Sequence, residues 1–220
     1  ISDAYAGLTD EQLRFRDVGF SLGGAALVSL RELFADTWAM VSGKRPDLPT
    51  PASSSPTPDD TEVTLINGGP HQRRSAIRTA FRVAMASSDH ELLIANPYFV
   101  PGPRILRSLL RAARRGVQVK LLLSARNDVP VVRVVSRSYY EVLLRAGIEI
   151  YELERELLHA KLMLIDGEQT VIGSANLDQR SFHRNFEINA IVRSKSFGSQ
   201  VHRLFEQDFT GSRRITLDEH

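Results

Sequence analysis

Two side chains with complementary chemistry lie close together in one short stretch of the chain. His159 and Lys161 are two positions apart, and an Asp166-Gly167 turn signal follows them. On an extended strand, residues two apart share a face, so the imidazole and the ammonium would point the same way. Imidazole can attack phosphorus or protonate a leaving oxygen, and an ammonium can bind phosphate oxygens. The pattern therefore predicts a site for phosphodiester chemistry.

A second strand is predicted to return beside the first, over residues 170–176. A two-residue hairpin at Asp166-Gly167 would place Ser174 and Asn176 on the face that carries the imidazole and the ammonium. Both side chains can donate hydrogen bonds to phosphate oxygens. Gly173, inside this strand, would let another backbone or a ligand approach closely. The hairpin would thus collect four polar groups on one surface.

The carboxylates near this pattern have different expected roles. Glu187, on a neighbouring predicted strand, is the best candidate for holding the tautomer of His159. Asp166 belongs to the same group of residues but is expected to act as a turn and scaffold residue. Its even position would face the side of the strand opposite to that of His159. No metal and no cofactor is needed, since the spacing lacks the paired carboxylates of metal-assisted phosphoryl transfer. The candidate catalytic residues are His159, Lys161, Asp166 and Glu187, and the candidate phosphate ligands are Lys161, Ser174 and Asn176.

Composition narrows the class of protein. The chain has 220 residues and a formal net charge of +2, from 28 basic and 26 acidic side chains. Nucleic-acid grooves are usually much more basic, so no nucleic-acid partner is expected. The absence of cysteine excludes disulfides and thiolate metal sites. No apolar run approaches the roughly 18 residues of a membrane-spanning helix, so the chain itself is expected to be soluble.

Strand and helix patterns alternate along most of the chain, which indicates an α/β fold with a central sheet covered by helices. One helix is predicted over residues 131–145 and one continuous strand over residues 157–165. A segment rich in proline and serine, from residue 43 to residue 60, is typical of a linker. The predicted organisation is a strand and helix at 1–42, a linker at 43–61, a main domain at 62–212 and a tail at 213–220.

An internal repeat is also indicated. Asp17 is followed by a predicted strand and then by Phe34, and Glu187 is followed by a predicted strand and then by Phe205. The two acid-to-phenylalanine distances are 17 and 18 residues. If the repeat is real, residues 1–42 are the tail of a first copy, whose own HxK would precede Ile1. Chance remains the alternative explanation, because short matches are weak.

The wider motifs resemble a known family. His159-x-Lys161-x₄-Asp166-Gly167 followed by Gly173-Ser174-x-Asn176 is similar to the signature of the phospholipase D superfamily. Within it, the chain resembles the bacterial cardiolipin synthases over nearly its whole length. The segments that carry this narrower resemblance are Asn96-Pro97-Tyr98-Phe99-Val100-Pro101, Arg115-Gly116-Val117, Ser136-Arg137-Ser138-Tyr139-Tyr140, and Asn176-Leu177-Asp178-x-Arg180-Ser181-Phe182 with Asn185-Phe186-Glu187.

The resemblance implies a phospholipase D-type mixed β-sheet flanked by helices on both faces. It also implies that two HxK halves build one site, in which one histidine becomes a phosphohistidine and the other is the acid and base. His159 would be the acid and base, with Glu187 orienting it and Asp17 orienting the histidine of the missing half. Lys161 and Asn176 would bind phosphate with help from Ser174.

The implied reaction is phosphatidyl transfer between phosphatidylglycerol molecules, which gives cardiolipin and glycerol. The implied partners are an anionic phospholipid, a bacterial cytoplasmic membrane surface, and the missing HxK half or a second chain. Two alternatives stay open. One is a phospholipase D or nuclease-type phosphodiesterase, and the other is a non-catalytic half that binds phosphate or lipid.

Overall fold

A computed structural model of the chain describes residues 14–49, 61–70, 75–127 and 129–219. Eight strands form one mixed sheet, and two further strands form a short parallel pair beside it. The strands in chain order are β1 (Phe15–Arg16), β2 (Glu62–Gly68), β3 (Glu91–Asn96), β4 (Gln118–Ser124), β5 (Glu149–Leu153), β6 (Leu157–Leu158), β7 (Leu162–Ile165), β8 (Gln169–Gly173), β9 (Glu187–Arg193) and β10 (Arg213–Ile215).

The spatial order of the large sheet is β10-β5-β4-β3-β7-β8-β9-β2. The β3–β4 and β4–β5 pairs are parallel and all the other pairs are antiparallel. β10 was expected to belong to a C-terminal tail, but it forms one edge of the sheet beside β5. The main domain therefore continues beyond residue 212.

Helices cover both faces of the sheet, which confirms the predicted architecture. The helices are α1 (Ala26–Ser42), α2 (Ala76–Ser87), α3 (Pro103–Arg114), α4 (Pro130–Arg137), α5 (Tyr140–Arg145), α6 (Gln179–His183) and α7 (Lys195–Thr210). The larger apolar cluster packs α2, α3, α5 and α6 against one face, and the smaller cluster packs α7 against the other. Among the described residues, a helix that could span a membrane is not found.

The single helix predicted over residues 131–145 is wrong, because the chain forms α4 and α5 with a turn between them. The turn lets both helices reach one buried carboxylate, that of Glu152. Arg137 at the end of α4 donates to it at 2.6 Å, and the Tyr140 hydroxyl at the start of α5 donates at 3.0 Å. This buried network fixes the α4–α5 corner onto β5.

The continuous strand predicted over residues 157–165 is also wrong. The chain leaves regular strand geometry at His159–Lys161, between β6 and β7. β6 pairs in parallel with β1, whereas β7 belongs to the large sheet between β3 and β8. The interruption lies at the residues that the sequence marks as reactive.

In the described part of the N-terminal region, residues 14–49, the chain forms a two-residue strand and a 17-residue helix. The strand expected between Asp17 and Phe34 does not form, because the residues that follow β1 have no regular structure before α1 begins. The predicted linker lies mostly outside the described residues. The internal repeat remains a prediction.

Candidate active site

The pairing of β1 with β6 brings two distant parts of the chain together. Phe15 lies opposite Leu157 and Arg16 lies opposite Leu158, so the next pair in this register is Asp17 and His159. The backbone N–H of His159 donates to the carbonyl oxygen of Arg16 at 2.9 Å. A parallel two-residue ladder therefore delivers a carboxylate to the imidazole.

The carboxylate that contacts His159 is that of Asp17, with 2.8 Å between Nδ1 of His159 and Oδ2 of Asp17. This corrects the expected pairing of His159 with Glu187. The physical reason is the β1–β6 register, which places Asp17 beside His159. The strands that follow the HxK segment in the sequence do not indicate this pairing. A carboxylate at Nδ1 fixes the tautomer and the orientation of the imidazole ring.

The Asp17–His159 pair is partly shielded, with each side chain 33% exposed. The Phe15 ring packs edge-on against the imidazole with 5.5 Å between ring centroids. Burial opposes ionisation of Asp17, but the hydrogen bond from His159, the N–H of Val18 and the charge of Lys161 hold the pKa of its carboxyl below its usual value. Asp17 is therefore an anion at neutral pH, next to the imidazole.

Lys161 and Ser174 reach the same cavity, but not through the hairpin that the sequence predicts. Residues 166–168 connect β7 to β8, so odd positions pair with odd positions, as in Met163 opposite Val171. The expected register is wrong by one residue. Ser174 nevertheless lines the cavity with His159 and Lys161, at the bend that follows the end of β8 at Gly173.

Glu187 is buried at the start of β9, 9% exposed, with its carboxylate at the same cavity. The hydroxyl of Ser174 donates to Oε2 of Glu187, and Nδ2 of Asn185 donates to Oε1 at 3.1 Å. The Ser174 oxygen also accepts the N–H of Ile188 at 3.0 Å. Glu187 is thus held in place on the cavity wall without touching His159.

Asn176 is held by the loop that follows β8. Its backbone N–H donates to the Ser181 hydroxyl at 3.2 Å, and the N–H of Leu177 donates to Oδ1 of Asn96 at 3.3 Å. The side-chain oxygen of Asn176 is buried and has no hydrogen-bond partner among the described residues. The loop therefore presents a fixed polar group to the cavity.

These side chains share one open cavity of about 700 Å³. Five of the sequence-predicted site residues line it, and Asp17 joins them from the N-terminal region. Its apolar wall comes from β2, β8, β9 and the segment around Phe20. The predicted residues in its lining are His159, Lys161, Ser174, Asn176 and Glu187.

Asp166 is the predicted site residue that does not line the cavity. Its carboxylate accepts the backbone N–H groups of Asp89, His90 and Glu91 at 2.8–2.9 Å. Burial raises the pKa of Asp166, but these three donors outweigh it and lower the pKa below its usual value. Asp166 also adopts a positive φ of 50° at the turn after β7. It ties the β7–β8 turn to the start of β3, which is the scaffold role expected for it.

Asn189 lines the cavity, although the sequence motifs did not predict it. It is 1% exposed, and neither polar atom of its side chain has a hydrogen-bond partner among the described residues. It lies on β9 two positions after Glu187, so strand alternation places both on one face. That period of two is the signal that could have found it.

Comparison with protein families decides where the chain belongs. Residues 81–209 match the family model described as cardiolipin synthase, PLD-like domain. The matched range includes the His159–Lys161 segment and the cavity wall formed by β8 and β9. The chain belongs to this family of phospholipase D-like domains. The family is one of transferases and phosphodiesterases, as the predicted chemistry requires.

Relatives of this phospholipase D-like chain support the assignment. It is 39% identical over 214 residues to cardiolipin synthase of Geobacillus thermodenitrificans, which covers 95% of this chain and 42% of the relative. It is 34% identical over 220 residues to cardiolipin synthase A of Pseudomonas syringae, covering 100% of this chain and 45% of the relative. The chain thus spans less than half the length of these curated relatives.

Solved structures share the fold at low sequence identity. Nuc from Salmonella typhimurium, a phospholipase D family member, superposes with a TM-score of 0.60 at 16% identity, over 71% of this chain and 99% of Nuc. Phosphatidylserine synthase of Haemophilus influenzae superposes with a TM-score of 0.57 at 13% identity, over 76% of this chain and 42% of the synthase. These likenesses establish the phospholipase D fold of the chain.

Proposed function

We propose that the chain forms one half of a phosphatidyl transferase of the cardiolipin synthase kind. The observation that carries this proposal is the cavity in which the Asp17–His159 pair and Lys161 lie together. An oriented imidazole and an ammonium are what transfer of a phosphodiester requires. The family match and the names of the relatives favour an anionic phospholipid such as phosphatidylglycerol as the substrate.

In the proposed reaction, Lys161, Asn176 and Ser174 bind the non-bridging oxygens of the lipid phosphate. A histidine from a second HxK half attacks phosphorus, and His159 gives its Nε2 proton to the departing glycerol oxygen. The hydroxyl of a second phosphatidylglycerol then loses its proton to His159 and attacks the phosphohistidine. Two phosphatidylglycerol molecules thus become one cardiolipin and one glycerol. Asp17 stabilises the imidazole of His159 whenever it is protonated, before the first transfer and after the second.

The proposal includes a second half because the cavity contains a second carboxylate, that of Glu187, in addition to the Asp17 carboxylate that contacts His159. Glu187 is fixed by Ser174 and Asn185, and it is an anchored carboxylate like that of Asp17, which contacts His159. We assign Glu187 to orient the histidine of the second half. That half belongs either to the same polypeptide or to a second chain. Membrane association is proposed on the same basis, since the substrate is a lipid.

The test uses phosphatidylglycerol dispersed in detergent, with cardiolipin and glycerol measured by mass spectrometry. The isolated chain is expected to turn over slowly, and the product of the complete reading frame is expected to turn over rapidly. Lys161→Gln should reduce kcat/KM of the latter by about 10²-fold, since one donor to the transition-state oxyanion contributes about that much. Lys195→Gln is the control, because Lys195 is 82% exposed and pairs with Glu168.

Two results would overturn the proposal. One is full turnover by the Lys161→Gln enzyme. The other is salt-sensitive cleavage of DNA by the product of the complete reading frame, with no release of glycerol from phosphatidylglycerol.

A further inference from the structure

The helices α2 and α3 carry an unusual concentration of positive charge. They pack side by side against one face of the sheet through buried residues such as Phe81 and Leu109. α2 contributes two arginines and α3 contributes four, and neither helix contains an aspartate or a glutamate. In a chain with a net charge of only +2, this surface departs strongly from the average.

Four of these arginines surround a separate cavity, which lies outside the catalytic cavity. It has a volume of about 180 Å³ and is completed by the Ser108 hydroxyl. We call the four the arginine cluster, and they are Arg82, Arg104, Arg107 and Arg111.

The arginine cluster lacks the carboxylates that accompany other arginines of the fold. Arg137, Arg145 and Arg193 each form an ion pair with a glutamate. Among the described residues, no carboxylate forms an ion pair with a member of the cluster. Burial, and then the charges of Arg104 and Arg82, lower the pKa of the neighbouring Arg78. Several positive charges that lie close together without an ion-paired carboxylate favour the binding of an external anion.

The helix α2, which carries Arg82 of the arginine cluster, contacts a helix that follows the catalytic cavity residues in the chain. Arg78, one turn before Arg82 on α2, lies with Nη1 2.6 Å from Nε2 of His183. His183 ends α6, and α6 begins three residues after Asn176, which lines the catalytic cavity. The helix that carries Arg82 of the cluster is thus joined, through Arg78 and His183, to the segment that follows Asn176 at the catalytic cavity.

We propose that the arginine cluster binds the phosphate groups of anionic phospholipid headgroups and holds the protein against a membrane surface. The choice of a lipid rests on the proposed function. Guanidinium groups suit this role, because their planar N–H pairs grip phosphate oxygens in a bidentate manner. The neighbouring Val83, which is 61% exposed, adds an apolar contact at the same surface.

The chemistry of these helices favours headgroups over nucleic acid. Single-stranded nucleic acid is usually bound on exposed aromatic rings, on which the bases stack. The one aromatic residue in the two helices, Phe81, is 4% exposed and packs in the core. The cavity of about 180 Å³ is also small, because one arginine of α2 and about two turns of α3 line it, whereas a duplex needs an extended basic surface.

The test is co-sedimentation of the 220-residue chain with vesicles of equal parts phosphatidylglycerol and phosphatidylcholine. The variant replaces Arg104, Arg107 and Arg111 by glutamine together. Each basic residue near an anionic surface contributes about fivefold in affinity, so the variant should bind roughly 100-fold more weakly. The control replaces Arg133, Arg145 and Arg193 by glutamine, which removes the same charge from exposed positions elsewhere. It should bind within about threefold of the wild type.

Further arms separate the possible sources of phosphate. The wild type should not bind vesicles of phosphatidylcholine alone, and inorganic phosphate should compete only weakly with the mixed vesicles. Binding of inorganic phosphate at the cluster without vesicle binding would overturn the membrane proposal. So would equal losses in the variant and the control, unchanged binding by the variant, or tighter binding of duplex DNA than of vesicles.

A catalytic arm separates this proposal from the proposed function. The product of the complete reading frame, carrying the same three glutamines, should turn over detergent-dispersed phosphatidylglycerol at the wild-type rate. Lost vesicle binding with retained turnover supports both proposals. Normal vesicle binding with retained turnover overturns the docking site alone, and absent turnover in the wild type overturns the function alone.

Discussion

Nδ1 of His159 lies 2.8 Å from Oδ2 of Asp17, although the two residues are 142 positions apart in the sequence. The contact depends on a parallel pair of strands with two residues each, β1 and β6. An ion pair of 2.8 Å between Arg16 and Asp208 fastens β1 to α7. The N-terminal region is thereby part of the candidate active site rather than a separate appendage.

Asp17→Asn should leave the fold intact and slow the transfer reaction. An amide cannot stabilise the protonated imidazole, and it can select the wrong tautomer of His159. We expect kcat to fall by about 10²–10⁴-fold with little change in KM, because general acid–base catalysis contributes that much. The measurement is steady-state turnover of phosphatidylglycerol by the product of the complete reading frame.

Asp36→Asn is the matched control for Asp17→Asn. Asp36 lies on α1, with its side chain 65% exposed and paired with Arg45, so its replacement should leave kcat within twofold or so. Equal rates in the Asp17→Asn enzyme and the wild type would show that the contact has no catalytic part.

Asp166→Asn should destabilise the fold without entering the chemistry. The carboxylate accepts three backbone N–H groups, and its replacement should lower the free energy of unfolding by about 2 kcal/mol near neutral pH. Asparagine tolerates the positive φ, so backbone strain adds little. Urea unfolding of the variant and of Glu168→Gln, an exposed neighbour in the same turn, measures the effect.

The same carboxylate gives a pH dependence with a defined sign. The pKa of Asp166 is lower in the folded state than in the unfolded chain, so its stabilising contribution is complete above the unfolded value of about 3.9. The contribution is lost as the pH falls from there through the folded pKa. The stability difference between the wild type and Asp166→Asn should therefore shrink in acid. A difference that stays constant down to the folded pKa would contradict this account.

Gly173→Ala should disturb the strand pair that carries the cavity wall. A Cβ at this position would lie 2.2 Å from the carbonyl oxygen of Ile188 and 2.6 Å from Cα of Asn189, so β8 and β9 would have to separate. We expect a loss of about 1–3 kcal/mol in the free energy of unfolding, as for other overpacked sites. Thermal and urea unfolding measure this loss.

Gly211→Ala is the control for Gly173→Ala. The nearest atom to a Cβ there is the Gln207 carbonyl oxygen at 3.7 Å, which is an ordinary contact. Its stability should change by no more than about 0.5 kcal/mol, which is usual for surface positions. A Gly173→Ala protein as stable as this control would show that the two strands are not closely packed at that point.

The sequence alone was sufficient to predict those cavity residues that lie near one another along the chain. The spacing of His159 and Lys161, with Ser174 and Asn176 on the returning segment, predicted five lining residues together with Glu187. Leu158, Ala160, Leu162 and Leu164 also alternate along the same segment, and all four lie in one apolar cluster. Local periodicity carries this kind of information directly.

The sequence was insufficient where non-local pairing decides the geometry. The β7–β8 connection has three residues rather than two, and one residue of register changes which side chains share a face. Asp17 reaches His159 only because β1 adds to β6, and no pattern within either segment specifies that pairing. The sequence therefore predicts Glu187, on a neighbouring strand, as the partner of His159, whereas the fold places Asp17 there.

We propose that His159 supplies a proton to the leaving oxygen while Asp17 contacts its Nδ1. The direct test compares His159→Ala with the wild type, both as products of the complete reading frame, on two substrates. One is phosphatidylglycerol, whose alcohol leaving group needs a proton. The other is a phosphatidyl ester of p-nitrophenol, whose leaving group departs as a stable anion.

His159→Ala should slow glycerol release by about 10²–10⁴-fold, while the first burst of p-nitrophenol release should be reduced by less than about tenfold. Equal and severe loss on both substrates would show that His159 does not act as the acid. Unchanged release of glycerol would remove it from the reaction altogether.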